Sequence, residues 1–266
     1  MKKIILIAAF ILVAQSVISQ KKKYLLFEFM KVTPAQETAY LETENFWQKI
    51  HDQRIKNGEM VEWQLWRLEP SDDNPGYQYV TIQVFNDAGK MFENGAGKSF
   101  LEVAKNAFPE ISDQDLIIKR NQSLKNRELA ETLYLEQIDE TKGKFTLSPG
   151  TLMGINLMNV TPDNYEKYEN AEMKIFKPEW QNRVDEGRVG SWSLLKAVGP
   201  NGSRSNAVFA YVSLDRYKDF NQLFGSSNNY NTIRSDSAQA AWQDGLKTRE
   251  ISSCKTVLVK RIGKDL

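Results

Sequence analysis

The sequence Met30-Lys31-Val32-Thr33-Pro34 occurs twice in this chain, the second time as Met158-Asn159-Val160-Thr161-Pro162. Each copy is followed at matching distances by a tyrosine, an arginine, a glycine and a tryptophan: Tyr40, Arg54, Gly58 and Trp63, then Tyr168, Arg183, Gly187 and Trp192. The interval between the copies is 128 residues at the Thr-Pro pair and 129 at the tryptophan. The chain is therefore an internal duplication, with one residue gained inside the second copy.

Both copies predict the same order of elements, strand-helix-strand-strand-helix-strand. Thr33-Pro34 with Gln36 is a helix-start pattern, and Gly58 suits the left-handed residue that follows a helix. The predicted strands are 24–32, 59–68, 77–85 and 132–138 in the first copy, and 152–160, 189–197, 206–214 and 256–262 in the second. The long predicted helices begin at Pro34 and Pro162, the latter ending at Gly187.

This order and duplication resemble the dimeric α/β-barrel superfamily, in which two ferredoxin-like units pack sheet against sheet. The resemblance implies an α+β fold of two tandem ferredoxin-like βαββαβ units that form an intramolecular pseudo-dimeric α/β barrel. The predicted divisions are a signal peptide (1–19), a first repeat (20–139), a linker (140–150) and a second repeat (151–266). The resemblance covers residues 24–262, and the group includes oxygenases, isomerases, haem enzymes and binding modules, so the fold leaves the function open.

The N-terminus reads as a bacterial signal peptide. Lys2 and Lys3 precede an apolar run of eleven residues, 4–14, and small or tolerated residues follow, so cleavage is predicted before Gln20. Eleven residues are too few to cross a bilayer, which takes about 20. We therefore expect an exported protein, periplasmic or secreted, with no membrane span after cleavage.

Composition excludes several classes of partner and cofactor. The formal net charge is +1, which provides no general attraction to nucleic acid. The single cysteine, Cys254, cannot form an internal disulfide, and the single histidine, His51, leaves no second imidazole for a metal cluster. No metal and no cofactor are predicted, and a small-molecule ligand is the expected partner.

Alternation along the strands assigns their two faces. The apolar set that includes Leu25, Phe27 and Phe29 is expected to pack on the helices, as are Met153, Ile155 and Leu157 in the second copy. The opposite faces mix polar and aromatic residues and are expected to line a cavity between the two sheets. Its candidate ligand-binding residues are Glu28, Glu62, Gln64, Gln83, Asn156, Ser193 and Tyr211. The alternative is a hydrogen-bonded seam that fixes how the halves dock.

His51 is the catalytic candidate, because the second copy has Trp180 in its place. An imidazole present in one half only suits a half-specific role such as a general base. As a haem ligand it finds no support elsewhere in the sequence. Three functions follow: an exported small-molecule binding or accessory protein without catalysis, which is the leading interpretation; a cofactor-independent enzyme of the oxygenase or isomerase type; and a cell-surface interaction module.

Overall fold

The computed structural model describes residues 22–70, 76–93, 99–199, 209–227 and 234–263. The predicted signal peptide and its cleavage before Gln20 lie outside the described residues. The first half contains β1 (Tyr24–Lys31), a 3-10 turn (Pro34–Gln36), α1 (Glu37–Lys56), β2 (Glu62–Leu68), β3 (Tyr79–Phe85), α2 (Ala88–Phe92), α3 (Phe100–Ala107), α4 (Asp113–Ser123) and β4 (Glu128–Glu140). Among the described residues, no helix is long and apolar enough to cross a membrane.

The second half repeats the order. It contains β5 (Leu152–Asn159), a 3-10 turn (Pro162–Asn164), α5 (Tyr165–Ala171), a π-helical turn (Glu172–Phe176), α6 (Lys177–Asp185), β6 (Ser191–Gly199), β7 (Tyr211–Tyr217), α7 (Phe220–Ser227), α8 (Asp236–Leu246) and β8 (Glu250–Gly263). The first long helix of each half is followed by a glycine with positive φ, Gly58 at 72° and Gly187 at 70°. These glycines adopt the left-handed conformation that the sequence predicted.

The eight strands form one closed antiparallel barrel in the order β1-β3-β2-β8-β5-β7-β6-β4. Two seams join the halves: β2 pairs with β8, and β4 pairs with β6. Every strand therefore has two neighbours, and the barrel has no exposed edge. The predicted α+β class and its barrel are confirmed.

The extra residue of the second copy lies in a π-helical turn. α5 and α6 form one continuous helical stretch interrupted by Glu172–Phe176, between the points where the copies are offset by 128 and by 129 residues. A π turn accommodates one inserted residue without ending the helix, and such turns are frequent at functional sites.

The face assignment is wrong for β1, β3, β5 and β7. Phe27 pairs with Ile82, and Ile82 pairs with Gln64, so these three side chains share one face. That face points into the barrel, where one apolar cluster collects residues from both halves: Leu25, Phe27, Phe29, Trp66, Leu68, Tyr77, Val80, Ile82, Val84, Leu133, Leu135, Met153, Ile155, Leu157, Leu195, Val212, Leu214, Cys254 and Leu258. The barrel interior is enclosed on all sides, so the most apolar face lies there, while the helices cover the mixed face.

The predicted alignment of the third strand is also wrong, by four residues. Met30 pairs with Tyr79 in the first half, and Met158 pairs with Tyr211 in the second, so Tyr211 corresponds to Tyr79 and not to Gln83. By the same register Asp215 corresponds to Gln83. The connection between the second and third strands is longer in the second half, which the interval of 128 residues does not allow for.

Candidate active site

A cavity of about 290 Å³ lies between α1 and the outer face of β1, β2 and β3 in the first half. Its lining comes from α1, from three strands, from α3 and α4 and from the start of β4: Glu28, Glu44, Trp47, Ile50, His51, Arg54, Glu59, Trp63, Thr81, Gln83, Phe100, Val103, Arg120 and Arg127. Aromatic walls with a few polar groups are typical of small-molecule sites.

A carboxylate held by two donors forms the floor of this cavity. The Thr81 hydroxyl donates to Glu28 Oε2 at 3.1 Å, and the Gln83 amide donates to the same oxygen at 3.0 Å. Both donors reach Oε2, so Oε1 keeps its capacity to accept a hydrogen bond from a ligand. The Gln83 Oε1 atom is buried and has no partner among the described residues.

His51 lies between two indoles. Its ring stacks on Trp47, with centroids 6.0 Å apart, and on Trp63, with centroids 5.6 Å apart. The Trp47 indole is itself fixed, because its Nε1 donates to the Ser123 hydroxyl at 3.1 Å. The His51 Nδ1 atom is buried without a hydrogen-bond partner within the described part of the chain. Leaving such an atom unsatisfied costs about 1–3 kcal/mol, which indicates a function for the side chain.

The charge around His51 keeps its imidazole neutral. Burial lowers the pKa of His51 well below its usual value, and the positive charges of Arg54 and Arg127 lower it further. Arg54 forms an ion pair with Glu59 at 3.3 Å, and Arg127 pairs with Glu44 at 3.1 Å. The ring is therefore a free base at neutral pH and lies close to two guanidinium groups.

Glu44 is a second titratable group of the cavity. Burial raises the pKa of its carboxyl to about 7, although the Arg127 guanidinium opposes the shift. The second half repeats this arrangement, since Glu172 pairs with Arg249 at 3.1 Å and burial raises the pKa of Glu172 to about 7. Both halves thus bury a glutamate-arginine pair under the first helix.

The structure brings together only part of the predicted set. His51, Glu28 and Gln83 line one cavity, but it lies between helix and sheet, not between two sheets. Asn156 lines the corresponding cavity of the second half, and Tyr211 packs beneath α5 beside Tyr168. The proposed common cavity is therefore wrong for these four strand residues, because their faces point outward from the barrel.

Glu62, Gln64 and Ser193 do point into the barrel. Glu62 pairs with Arg261 across the β2–β8 seam, and Gln64 donates to Glu62 at 2.9 Å. Ser193 accepts a hydrogen bond from Arg216 at 3.2 Å. These contacts match the hydrogen-bonded seam that the sequence left open as the alternative, and a role for the three residues in ligand binding stays a prediction.

Sequence reasoning missed Thr81, Glu44 and Arg127. A signal for the last two was present, because Glu44 and Arg127 have counterparts in the second copy, Glu172 and Arg249. Polar residues repeated under an amphipathic helix are easily read as solvent-facing, and only the packing of α1 on the sheet shows that Glu44 is buried.

Within the described residues, no group of three or more histidine, cysteine, aspartate or glutamate side chains could hold a metal ion. The cavity offers one imidazole, a hydrogen-bonded carboxylate and two ion pairs. Such a set can move a proton and stabilise an anion without further groups.

No protein-family model and no curated protein matches the chain. Solved structures match along its length. A protein assigned as a monooxygenase from Fusobacterium nucleatum is 11% identical, with 92% of this chain and 96% of that one covered and a TM-score of 0.54. An anthrone oxidase-like protein is 12% identical, with coverage of 92% and 94% and a TM-score of 0.55.

A third structure, assigned as a monooxygenase from Lactobacillus acidophilus, is 12% identical and covers 92% of this chain and 100% of its own, with a TM-score of 0.51. These values establish a common barrel fold. The leading interpretation from sequence, a binding or accessory protein without catalysis, is overturned, because these full-length structural relatives are described as oxygenases and an oxidase.

Proposed function

We propose that this chain is a cofactor-independent enzyme of the oxygenase type, and that the cavity between α1 and the sheet of the first half is its active site. The substrate class is a planar aromatic molecule with an acidic C–H or O–H group. The observation that supports this most strongly is the neutral His51 imidazole, which is buried between two indoles in a cavity that also contains a carboxylate with acceptor capacity.

His51 acts as the general base. A neutral imidazole can accept the substrate proton, whereas one already protonated cannot. The lowered pKa makes His51 a weaker base than a free imidazole, but the charges of Arg54 and Arg127 that contribute to the shift also stabilise a developing substrate anion. Stabilisation of the anion therefore offsets the weaker base.

The Glu28 carboxylate orients the substrate. Its Oε1 accepts a hydrogen bond from a substrate hydroxyl while Thr81 and Gln83 hold its Oε2. The aromatic walls position a flat ring system, since Trp47, Trp63 and Phe100 all line the cavity.

The deprotonated substrate is electron-rich and reacts with dioxygen itself. For a methylene flanked by aromatic rings, one O₂ converts the CH₂ group to a C=O group, and the second oxygen atom leaves as water with the two hydrogens. Oxygen chemistry is proposed over isomerisation because the three compared structures are described as monooxygenases and an anthrone oxidase-like protein.

The finer architecture belongs to the same proposal. Residues 20–139 and 151–266 are two tandem ferredoxin-like units joined by the linker 140–150, and the N-terminal segment directs export. The repeated order of strands and helices and the two inter-half seams support the first statement.

The test uses anthrone as the substrate and oxygen uptake as the readout. Purified residues 20–266 are expected to accelerate uptake above the spontaneous rate and to form anthraquinone that carries one ¹⁸O from ¹⁸O₂. His51→Gln is expected to lower kcat by roughly 10²–10⁴-fold, the usual contribution of a general base. Glu28→Gln is expected to raise KM more than it lowers kcat.

The matched control is Asp52→Asn, because Asp52 neighbours His51 on α1 but forms an exposed pair with Lys56 at 2.6 Å. This variant should retain the wild-type rate. Anthrone turnover no faster than the background, or an unchanged rate in His51→Gln, would refute the proposal.

A further inference from the structure

The second half contains a cavity that corresponds in position to the first. It measures about 470 Å³ and lies between the outer face of β5 and β7 and the helical segments from Glu172 to Arg183 and around α8. This volume falls within the range of about 300–1,000 Å³ that is typical of small-molecule sites. The second cavity has no imidazole, because Trp180 occupies the place that His51 has in the first half.

The floor of this second cavity is a polar cluster held by its own hydrogen bonds. Asn156 Nδ2 donates to Asp215 Oδ1 at 2.6 Å and to the Ser213 hydroxyl at 3.2 Å. The Ser253 hydroxyl donates to Asn156 Oδ1 at 2.7 Å. Both donors of the amide are thus used within the floor, while the Asp215 carboxylate retains capacity for further donors.

The same three chemical groups form the floor of the first cavity with their strands exchanged. There the carboxylate is on the first strand (Glu28) and the amide on the third (Gln83), whereas here the amide is on the first strand (Asn156) and the carboxylate on the third (Asp215). A hydroxyl occupies the same register position in both, Thr81 in one half and Ser213 in the other. Both cavities therefore present an oriented carboxylate, by two different sequences.

A glycine makes room for the second carboxylate. Gly154 lies opposite Asp215 in the β5–β7 pairing, and a Cβ atom added there would lie 2.6 Å from Asp215 Oδ2. Any larger residue would displace the carboxylate from the floor. Gly245 on α8 does the same for the wall, since its added Cβ would lie 2.9 Å from the Phe176 ring.

Aromatic side chains form the wall. The π turn ends at Phe176, which packs edge-on against Trp242 with centroids 6.1 Å apart, and Trp180 follows one turn later. The Arg234 guanidinium lies 4.6 Å from the centre of the Trp242 ring and forms a two-pronged ion pair with Glu179, with both contacts at 2.6 Å. Two flat indoles beside a hydrogen-bonded floor fit a planar ligand.

The charges of this lining are already balanced. Arg234 pairs with Glu179 and Arg249 with Glu172, while the Arg183 guanidinium lies 4.8 Å from the Trp180 ring centre. An anionic ligand would meet the Asp215 carboxylate on the floor, and a cationic one would meet Arg183 and Arg234 at the indoles. A neutral ligand avoids both repulsions, and a hydroxyl group on it supplies the donor that the floor accepts.

We propose that the second half holds a separate, non-catalytic binding site for a neutral planar aromatic molecule with a hydroxyl group, which stacks on Trp180 and Trp242 and donates its hydroxyl proton to Asp215. The site does not depend on the proposed oxygenase activity, because it contains none of the residues assigned to that reaction.

The test uses 2-naphthol as the probe and the full mature chain labelled with 5-fluorotryptophan. The chain has six tryptophans, and Trp→Phe variants assign their ¹⁹F signals. We expect 2-naphthol to shift the signals of Trp180 and Trp242 along a saturable curve that remains in the His51→Gln variant. The probes 2-methoxynaphthalene, which lacks the donor, and 2-naphthoate, which is an anion, should bind at least about tenfold more weakly.

Two variants and one control identify the floor. Asp215→Asn is expected to weaken 2-naphthol binding about tenfold or more, and Ser213→Ala to weaken it less. Thr81→Ala, the corresponding change in the first half, should leave the Trp180 and Trp242 titrations unchanged. If Asp215→Asn does not fold by circular dichroism, the probe series on the wild-type chain decides alone.

Absence of a saturable shift at Trp180 and Trp242 would overturn the proposal. Equal affinity for 2-methoxynaphthalene would also overturn it, since the hydroxyl would then contribute nothing. Shifts confined to Trp47 and Trp63 would place the probe in the first cavity, against the proposal.

Discussion

The buried carboxyl of Glu44 makes the stability of this protein depend on pH in a direction opposite to that of an ordinary ion-paired carboxylate. Burial raises its pKa from 4.5 to about 7, and the attraction of Arg127 does not compensate for this effect. In the folded chain the carboxyl therefore holds its proton over a range of pH in which the unfolded chain has released it.

The sign follows from proton linkage. Between pH 4.5 and about 7 the folded state binds more protons than the unfolded state, so raising the pH lowers the free energy of unfolding. A shift of about 2.5 pKa units corresponds to about 3 kcal/mol at 1.36 kcal/mol per unit. This stability is fully present below pH 4.5 and lost as the pH rises through 7.

Glu44→Gln isolates the effect because glutamine has the shape of the protonated acid and does not titrate. At pH 4.5 the variant and the wild type should have similar free energies of unfolding. At pH 8 the variant should be more stable relative to the wild type by about 3 kcal/mol. The measurement is urea unfolding followed by tryptophan fluorescence at half-unit steps from pH 4.5 to 8.

The control is Glu42→Gln, which removes one negative charge at an exposed position of the same helix. Glu172→Gln should repeat the Glu44→Gln result, because the pKa of Glu172 is also raised to about 7 by burial. A stability difference between Glu44→Gln and wild type that stays constant over this pH range, or that favours the wild type as the pH rises, would refute the reasoning.

Four further predictions follow from the described structure. Arg261→Met should destabilise the barrel by about 3–5 kcal/mol in urea unfolding, because it leaves Glu62 charged and unpaired inside, while the double variant with Glu62→Met should recover most of that loss. Gly58→Ala should lower the free energy of unfolding by about 1–2 kcal/mol, since the residue has a φ of 72°, and a loss under 0.3 kcal/mol would contradict it. The rate of anthrone oxidation should hold on acidification past pH 6.5, because the pKa of His51 is lowered well below that value, and an acidic limb at 6.5 would show an ordinary imidazole. Expression of the whole precursor in a bacterial host should yield an exported chain whose intact mass begins at Gln20, and a cytoplasmic chain that keeps residues 1–19 would rule out the export signal.

The face reversal shows what alternation can and cannot decide. Alternation correctly separates Phe27 from Glu28 on β1, because successive side chains of a strand point to opposite faces. It does not say which of the two faces is inside, since both an enclosed barrel and a helix-covered surface accept apolar residues. The pairing of Phe27 with Ile82 and of Ile82 with Gln64 decides it.

The site shows the same limit. His51 could be selected from sequence because it is the single imidazole and belongs to one copy. The functional pairing of His51 with Glu28 could not, because they were assigned to different places, the helix and the space between the sheets. Asp215 was missed because the interval of 128 residues aligned Tyr211 with Gln83, whereas the longer connection before β7 shifts the register by four.

The sequence by itself determined the duplication, the order of the elements, the left-handed glycines at Gly58 and Gly187 and the place of the extra residue that becomes a π turn. These features depend on local conformation and on repetition, which a single chain displays directly. Only the tertiary structure decided that the mixed faces lie under the helices and that each half has its own cavity. The physical reason is that strand register and closure join residues more than 50 positions apart, as in the hydrogen bonds from Gln83 to Glu28 and from Asn156 to Asp215, and no local pattern records those distances.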